Sequence, residues 1–180
     1  ATYRNSVSCI PASVQYRPPR DTPKPEVSGV LTAQIESAGG DYAYIDDQGQ
    51  YRAEMHFDER KDRSEGTKTL PIRMAQPYSG PDYGMHFPNH SGTEVILAFE
   101  NGDIDRPVAL GTSPNAANPS PSTSKNKTQN LIRTHAGNEV LIDDQEGETK
   151  INLTTTGGHE AKLRDGNSGI KFETSDGHFL

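Results

Sequence analysis

From Asn138 to Leu180 the chain repeats one short phrase: an apolar residue, a polar one, a second apolar residue, then a turn. The apolar pairs are Val140/Ile142, Ile151/Leu153, Ala161/Leu163 and Ile170/Phe172, and their spacing tightens by one residue at each step. The gaps hold Gln145-Glu146-Gly147, Thr156-Gly157-Gly158, Asp165-Gly166-Asn167 and Ser175-Asp176-Gly177, residues that accept left-handed backbone or cap it with a short polar side chain. Residues two apart in a strand share a face, so Ile151 and Leu153 point one way while Asn152 and Thr154 point the other. The pattern predicts short strands, each with one apolar face carrying two large residues. No such strand buries itself. A sandwich could collect these faces, but a processive array can stack turn on turn and bury its stripe against identical stripes of other chains, and this stacked prism is the favoured reading.

Ahead of the repeat, apolar alternation runs through residues 27–35, 42–45, 51–57, 70–75, 93–99 and 108–111. Five or six strands with Gly and Asp turns between them, and no convincing amphipathic helix, predict a small closed barrel. Asp46-Asp47-Gln48-Gly49 reads as a hairpin turn. Asn101-Gly102-Asp103 reads as another, with Pro107 expected to end strand pairing because it lacks an amide proton. The chain therefore divides into a Pro-rich extended linker at 1–26, a barrel at 27–112, a second linker rich in Pro, Ser, Asn and Thr at 113–130, and the proximal prism at 131–180. The fold class is all-β.

Composition strengthens the idea of a shared core. Apolar residues make up 31% of the chain, Trp is absent, and there are 17 Gly and 13 Pro, too little apolar material for a self-sufficient core throughout. The stripe Val140, Ile142, Ile151, Leu153, Leu163, Ile170 and Phe172 is therefore the candidate core of a homotrimer. The formal net charge of −7 removes the long-range attraction that nucleic acid or an anionic membrane would need. Arg17, Arg20 and Lys24 lie among Pro18, Pro19, Pro23 and Pro25, a solvated polyproline-like strip rather than a binding patch. Cys9 has no partner for an intrachain disulfide, and no apolar run reaches the length of a membrane-spanning helix. The start at Ala1 and the close on Phe179-Leu180 suggest a piece of something longer. Phe179 and Leu180 are then expected to form an apolar distal platform, continued by further shaft or covered by a separate tip protein.

Candidate chemistry is thin. His86 and His90 have the spacing of a helical zinc pair, but Pro88 between them favours a loop. His56 and Asp58 alternate along a predicted strand, a surface pair without the third group and cleft that catalysis needs. Asp103, Asp105 and Arg106 suit a turn with an ion pair better than glycosidase-like acid/base work. No nucleophile elbow, P-loop or Cys-x-x-Cys occurs, so no catalytic residue, metal site or cofactor is expected. Tyr42, Tyr44, Tyr51 and Phe57 could stack on the bases of single-stranded nucleic acid, the alternative function. Asp41, Asp46, Asp47, Glu54 and Asp58 around them would repel phosphates.

A set of motifs in fixed order carries a family likeness. Ser8-Cys9-Ile10-Pro11-Ala12, Tyr16-Arg17-Pro18-Pro19-Arg20 and Thr22-Pro23-Lys24-Pro25 resemble the hinge of VgrG proteins, the spike of the type VI secretion system. The likeness continues through Asp47-Gln48-Gly49-Gln50-Tyr51-Arg52, Met55-His56-Phe57-Asp58, Arg73-Met74-Ala75-Gln76-Pro77, Gly92-Thr93-Glu94-Val95, Gly102-Asp103-Ile104-Asp105-Arg106-Pro107 and Asn126-Lys127-Thr128-Gln129. Phe57 stands where many members have Trp. The resemblance implies an OB-fold barrel followed by an intertwined trimeric β-prism, related to the cell-puncturing spike of contractile phage tails. It also implies a preceding hub module that docks on a tube protein, a conical tip protein, possible effector cargo and mechanical piercing of a target membrane. Such a spike sits in the bacterial cytoplasm in the loaded machine and is then secreted.

Overall fold

Alternation becomes strand wherever the apolar side chains find a common interior. In the computed structural model, which describes residues 2–37, 39–59, 69–165 and 169–177, the chain separates into two units, Ala1–Thr112 and Ser113–Leu180. The first contains strands β1 (Leu31–Ile35), β2 (Ala53–Met55), β3 (Arg73–Met74), β4 (Ser79–Gly80), β5 (Tyr83–Gly84), β6 (Glu94–Phe99) and β7 (Pro107–Thr112). Five of them form one sheet in the order β2-β1-β6-β7-β3, antiparallel except for the parallel pair of β3 with β7. Tyr51 and Ile72, which lead into the two edge strands β2 and β3, exchange both backbone hydrogen bonds at 2.9 and 2.7 Å. That bridge joins the two ends of the sheet at one point, the curl of a small OB-type barrel.

The barrel's core follows the period of two. Along β6, Val95, Leu97 and Phe99 are buried while Glu94, Ile96 and Ala98 are half-buried. They pack with Ala33, Ile35, Tyr51, Ala53, Ile72 and Ala109. Leu110 stands out of register in β7, because Ile96 pairs with Gly111 and Leu97 with Ala109. Ala109 faces the core, so Leu110 beside it points outward, 52% exposed, and the bulge leaves it without a partner across the ladder.

Three local readings change. Tyr42, Ala43 and Ile45 make isolated bridges to His90, Ser37 and Tyr51 rather than a continuous strand. Residues 56–57 are a turn closed by the Asp58 amide donating to the Met55 carbonyl at 2.9 Å, so His56 and Asp58 do not share a strand face. Pro107 does not end pairing: it opens β7 opposite Phe99, a first-residue position that tolerates a missing amide proton. The turn before it uses left-handed backbone at Asn101 and Gly102. The turn at residues 46–49 is held by Asp46, whose Oδ1 accepts from the Gln48 and Gln50 amides, both at 2.9 Å. In the β4–β5 hairpin the Tyr83 ring lies so close over Gly80 that a Cβ there would sit 2.1 Å from Cζ.

The second unit holds β8 (Gln129–Arg133), β9 (Glu139–Asp143), β10 (Lys150–Thr154), β11 (Glu160–Arg164) and β12 (Ile170–Glu173). Each pairs antiparallel with the next, giving an up-and-down sheet. Gly147 and Gly158 supply the positive φ its tight turns require. Ahead of β8, residues 115–128 form short turns capped by their own side chains. Asn115 Oδ1 accepts from the amides of Ala117 and Asn118, and Asn126 Oδ1 from the amide and hydroxyl of Thr123. Among the described residues of this unit only Leu141 and Asp143 are buried.

Candidate functional site

The register of the second sheet decides which side chains stand together. Val140 lies opposite Leu153, which lies opposite Ala161, which lies opposite Phe172. One step along, Ile142, Ile151, Leu163 and Ile170 make a second row. Directly opposed residues share a face, and the two rows are two residues apart on every strand, so all seven candidate core residues stand on one side. Ile132, opposite Val140, joins them. It was hidden in the sequence because Leu131 beside it is equally apolar, and alternation could not say which of the two faces inward.

Among the described residues of this unit nothing covers this face. Leu163 is 39% exposed, Leu153 46% and Ile170 68%. Isolated exposed apolar residues are ordinary, but a contiguous face of this kind marks an interaction surface. Phe179 and Leu180, expected as a distal platform, lie outside the described residues.

The opposite face is polar except at Leu131 and Leu141, which lie opposite each other at its β8–β9 end. Asn152 lies between Leu141 and Lys162, and Lys162 is followed by Lys171. Lys162 pairs with Glu160, Lys171 with Glu173 at 2.8 Å and Arg133 with Glu139 at 2.5 Å. The Lys171 ammonium holds the Glu173 carboxyl below its ordinary range. Long side chains so arranged cover the sheet with their stems while their charges stay paired.

The barrel's candidate groups do not converge. Tyr51 is 2% exposed, a core residue that receives the Asn89 amide on its hydroxyl at 3.4 Å. Tyr44 lies under the Arg52 guanidinium at 4.8 Å, and Tyr42 packs on His90 with ring centres 5.0 Å apart. The aromatics proposed for base stacking thus include one that is buried and two engaged elsewhere. His86 meets Gln76 at 3.4 Å; His86 and His90 share no helix.

Asp103 and Asp105 do form an ion-pair turn, though the principal cation comes from the Pro-rich strip. Lys24 bonds Asp103 and reaches Asp105 Oδ2 at 2.7 Å. Those hydrogen bonds raise the Lys24 pKa, and the bond from Lys24 followed by that from the Asp105 amide lowers that of Asp103. Beside this turn a cavity of about 550 Å³ is lined by Met55, Phe57, Leu70, Ile104 and Pro107 among others. Its charged groups are already paired, Arg73 with Glu100 and Arg106 with Glu100 at 4.0 Å. Among the described residues no group of three or more His, Cys, Asp or Glu is placed to hold a metal ion.

Comparison with known proteins fits this division into a barrel and a sheet. Residues 42–113 match the family model of the type VI secretion system/phage-baseplate injector OB domain. The type VI secretion system spike protein VgrG3 of Vibrio cholerae is 35% identical over 84% of this chain and 15% of its own length. The actin cross-linking toxin VgrG1 of the same species is 32% identical over 84% of this chain and 14% of its own length. The spike protein VgrG1b of Pseudomonas aeruginosa is 29% identical over 100% of this chain and 24% of its own length. The chain therefore spans a quarter or less of the curated relatives it matches.

Proposed function

Because the chain belongs to the VgrG family of type VI secretion spike proteins, we propose that it is the barrel and proximal shaft of such a spike, a structural part that acts as a homotrimer. The observation that carries this is the uncovered apolar face of the second sheet. Burying a large aliphatic side chain contributes about 1.5–3 kcal/mol, and three copies of Val140, Ile142, Ile151, Leu153, Leu163, Ile170 and Phe172 facing a common axis would supply the core that one chain lacks. The paired charges on the opposite side would then form the shaft's outer surface.

In this reading the chain's work is mechanical. A contracting sheath drives the shaft outward through a target membrane, and rigidity comes from the dry axis. The 1–26 strip leads from a hub module that docks on the tube protein. A conical tip protein, with effector cargo, covers the distal end of the shaft. The protein is loaded in the bacterial cytoplasm and delivered outside the cell. No helix among the described residues is long and apolar enough to cross a membrane.

Light scattering coupled to size exclusion tests the assembly. The expected mass is three times the 19.6 kDa of the chain. A monomer or dimer at micromolar concentration overturns the proposal.

A further inference from the structure

Asp143 is the one charged side chain of the second sheet that is fully withdrawn from water, at 2% exposed among the described residues. It ends β9, and the register sets it between Gln129, the first residue of β8, and Lys150, the first of β10. Its two oxygens divide four partners between them. Oδ1 accepts from the Thr128 hydroxyl at 2.7 Å and the Gln145 amide at 3.3 Å. Oδ2 accepts from Gln129 Nε2 at 3.1 Å and meets Lys150 Nζ at 3.3 Å. A buried carboxylate is costly unless both oxygens are satisfied, and here they are.

The partners connect two different parts of the chain. Thr128 belongs to the Pro- and Ser-rich linker, and it is held twice, since its carbonyl also accepts the Asp144 amide at 3.1 Å. Upstream, Asn126 gathers the linker into a turn: it receives Thr123, donates to the Pro121 carbonyl at 3.0 Å, and its own carbonyl accepts the Gln129 amide at 3.0 Å. That turn runs directly into Thr128. We propose that Asp143 is a clasp: its carboxylate fixes the last turn of the linker to the sheet, so that the rigid unit begins near residue 121 rather than at β8.

The physical need is clear from the topology. β8 is an edge strand, paired on one side only with β9, and edge strands fray from their free end. The clasp holds the residue just ahead of its first paired residue. Slack there would let the linker peel into β8, and a shaft loaded along its axis would lose its fixed point of attachment. The clasp itself does not depend on trimer formation, because every contact named lies within one chain.

The charged surroundings decide how it responds to pH. Lys150 is the cation on the β10 side, and Arg164 of β11 lies opposite Lys150. From the linker and β8 come the neutral groups of Thr128 and Gln129, and Asp144 is engaged by Asn130 Nδ2 at 2.8 Å. The Thr128 and Gln129 hydrogen bonds, against the opposing effect of burial, hold the Asp143 carboxyl below its ordinary range. A lowered carboxylate pKa gives a contribution fully present above the unfolded value, about 3.9, and lost as pH falls through the lower folded value. The clasp therefore stays closed through neutral and mildly acidic conditions and opens only in strong acid.

Amide hydrogen exchange on the whole 180-residue chain tests this, comparing wild type with Asp143→Asn and, as a milder variant, Thr128→Val. Asp143→Asn is expected to speed exchange at residues 123–130 and at Asp144 and Gln145 about tenfold or more. Thr128→Val should speed it less, at the same residues, with β10, β11 and the barrel unchanged. After correction for intrinsic rates, wild-type protection of 123–130 should be flat from neutral pH to pH about 5 and fall below about 4, whereas the Asn variant should lack that step. Unchanged exchange at 123–130 in both variants overturns the proposal. So does acceleration spread evenly over β8 to β12, which would make Asp143 a contributor to general sheet stability rather than a clasp.

Discussion

The two units spend the same period-two alternation in opposite ways. In the barrel, Val95, Leu97 and Phe99 alternate inward on β6 and meet Ala33, Ile35 and Ile72 from strands of the same chain. In the second unit, Ile151 and Leu153 alternate just as strictly, and their register partners extend the face rather than cover it. The difference is curvature. The barrel sheet returns on itself through the Tyr51–Ile72 bridge, so one side becomes an interior. The second is an open sheet with one apolar side and one that is polar except at Leu131 and Leu141. A closed sheet makes a domain; an open one with an apolar face asks for another surface.

The contrast breaks most severely at Leu153. Leu153→Asp places one carboxylate per chain on the apolar face, and in the proposed trimer three of them meet near a dry axis where unpaired charge is strongly disfavoured. Assembly should be abolished at micromolar concentration, read as a fall from trimer to monomer mass, while the barrel's thermal transition remains. Retention of the trimer would mean that this face is not its core.

The converse is a lesion in the barrel. Leu97 is fully buried, and Leu97→Ala should cost about 2–5 kcal/mol through lost burial and the cavity left behind. Calorimetry should show the barrel transition moved down and the mass in solution unchanged. Loss of assembly from Leu97→Ala would show that the two units are energetically one.

Legibility from sequence followed the same contrast. Three of the second unit's five strands could be placed because Ile151-Asn152-Leu153, Ala161-Lys162-Leu163 and Ile170-Lys171-Phe172 alternate between turns. β9 was placed by its spacing from them, since Val140-Leu141-Ile142 is apolar throughout, and β8 was not legible as a strand. Register then carries those faces side by side. Ile132 escaped because its neighbour Leu131 is also apolar, so the period was locally ambiguous. In the barrel, tertiary closure overrode local pattern. Tyr42 and Ile45 bridge singly, to His90 and Tyr51, from different parts of the chain. Leu110 points outward because Ala109 beside it takes the core position. His56 lies in a turn set by an Asp58 to Met55 bond, and Pro107 starts a strand it was expected to stop. Asp143 gave no signal, since its burial depends on Thr128 and Lys150, which only the register brings to it.

A smaller effect sharpens the inside and outside of the open sheet. Asn152, next to Leu153 on the polar face, has its side-chain oxygen buried without a hydrogen-bond partner, and Lys162 lies directly opposite. Asn152→Asp brings a carboxylate within reach of that ammonium, so the variant should assemble like wild type, with its melting midpoint changed by no more than a few degrees. Damage equal to that of Leu153→Asp, measured by the same light scattering, would reverse the assignment of faces.

The smallest expected effect concerns how the Pro-rich strip leaves the barrel. Lys24 holds Asp103 and Asp105, and just beyond it the Val27 amide donates to the Gly102 carbonyl at 2.9 Å. The backbone bond and the packing of Val27 on the core remain if the charge is removed, and an exposed ion pair contributes little on its own. Lys24→Met should therefore leave the barrel's melting midpoint within error and speed exchange of the Val27 amide only a few-fold. High salt should bring wild type toward the variant by screening the pair. The pH limits follow from the two shifts. Asp103 is lowered, so acid breaks the pair only below the ordinary carboxylate value of about 3.9, and Lys24 is raised, so base breaks it only above about 10.4. Between those limits the exchange of Val27, corrected for its intrinsic pH dependence, should be flat. A tenfold or greater acceleration in Lys24→Met, or a step near neutral pH, would show that the strip is held at this turn by the charge rather than by the backbone.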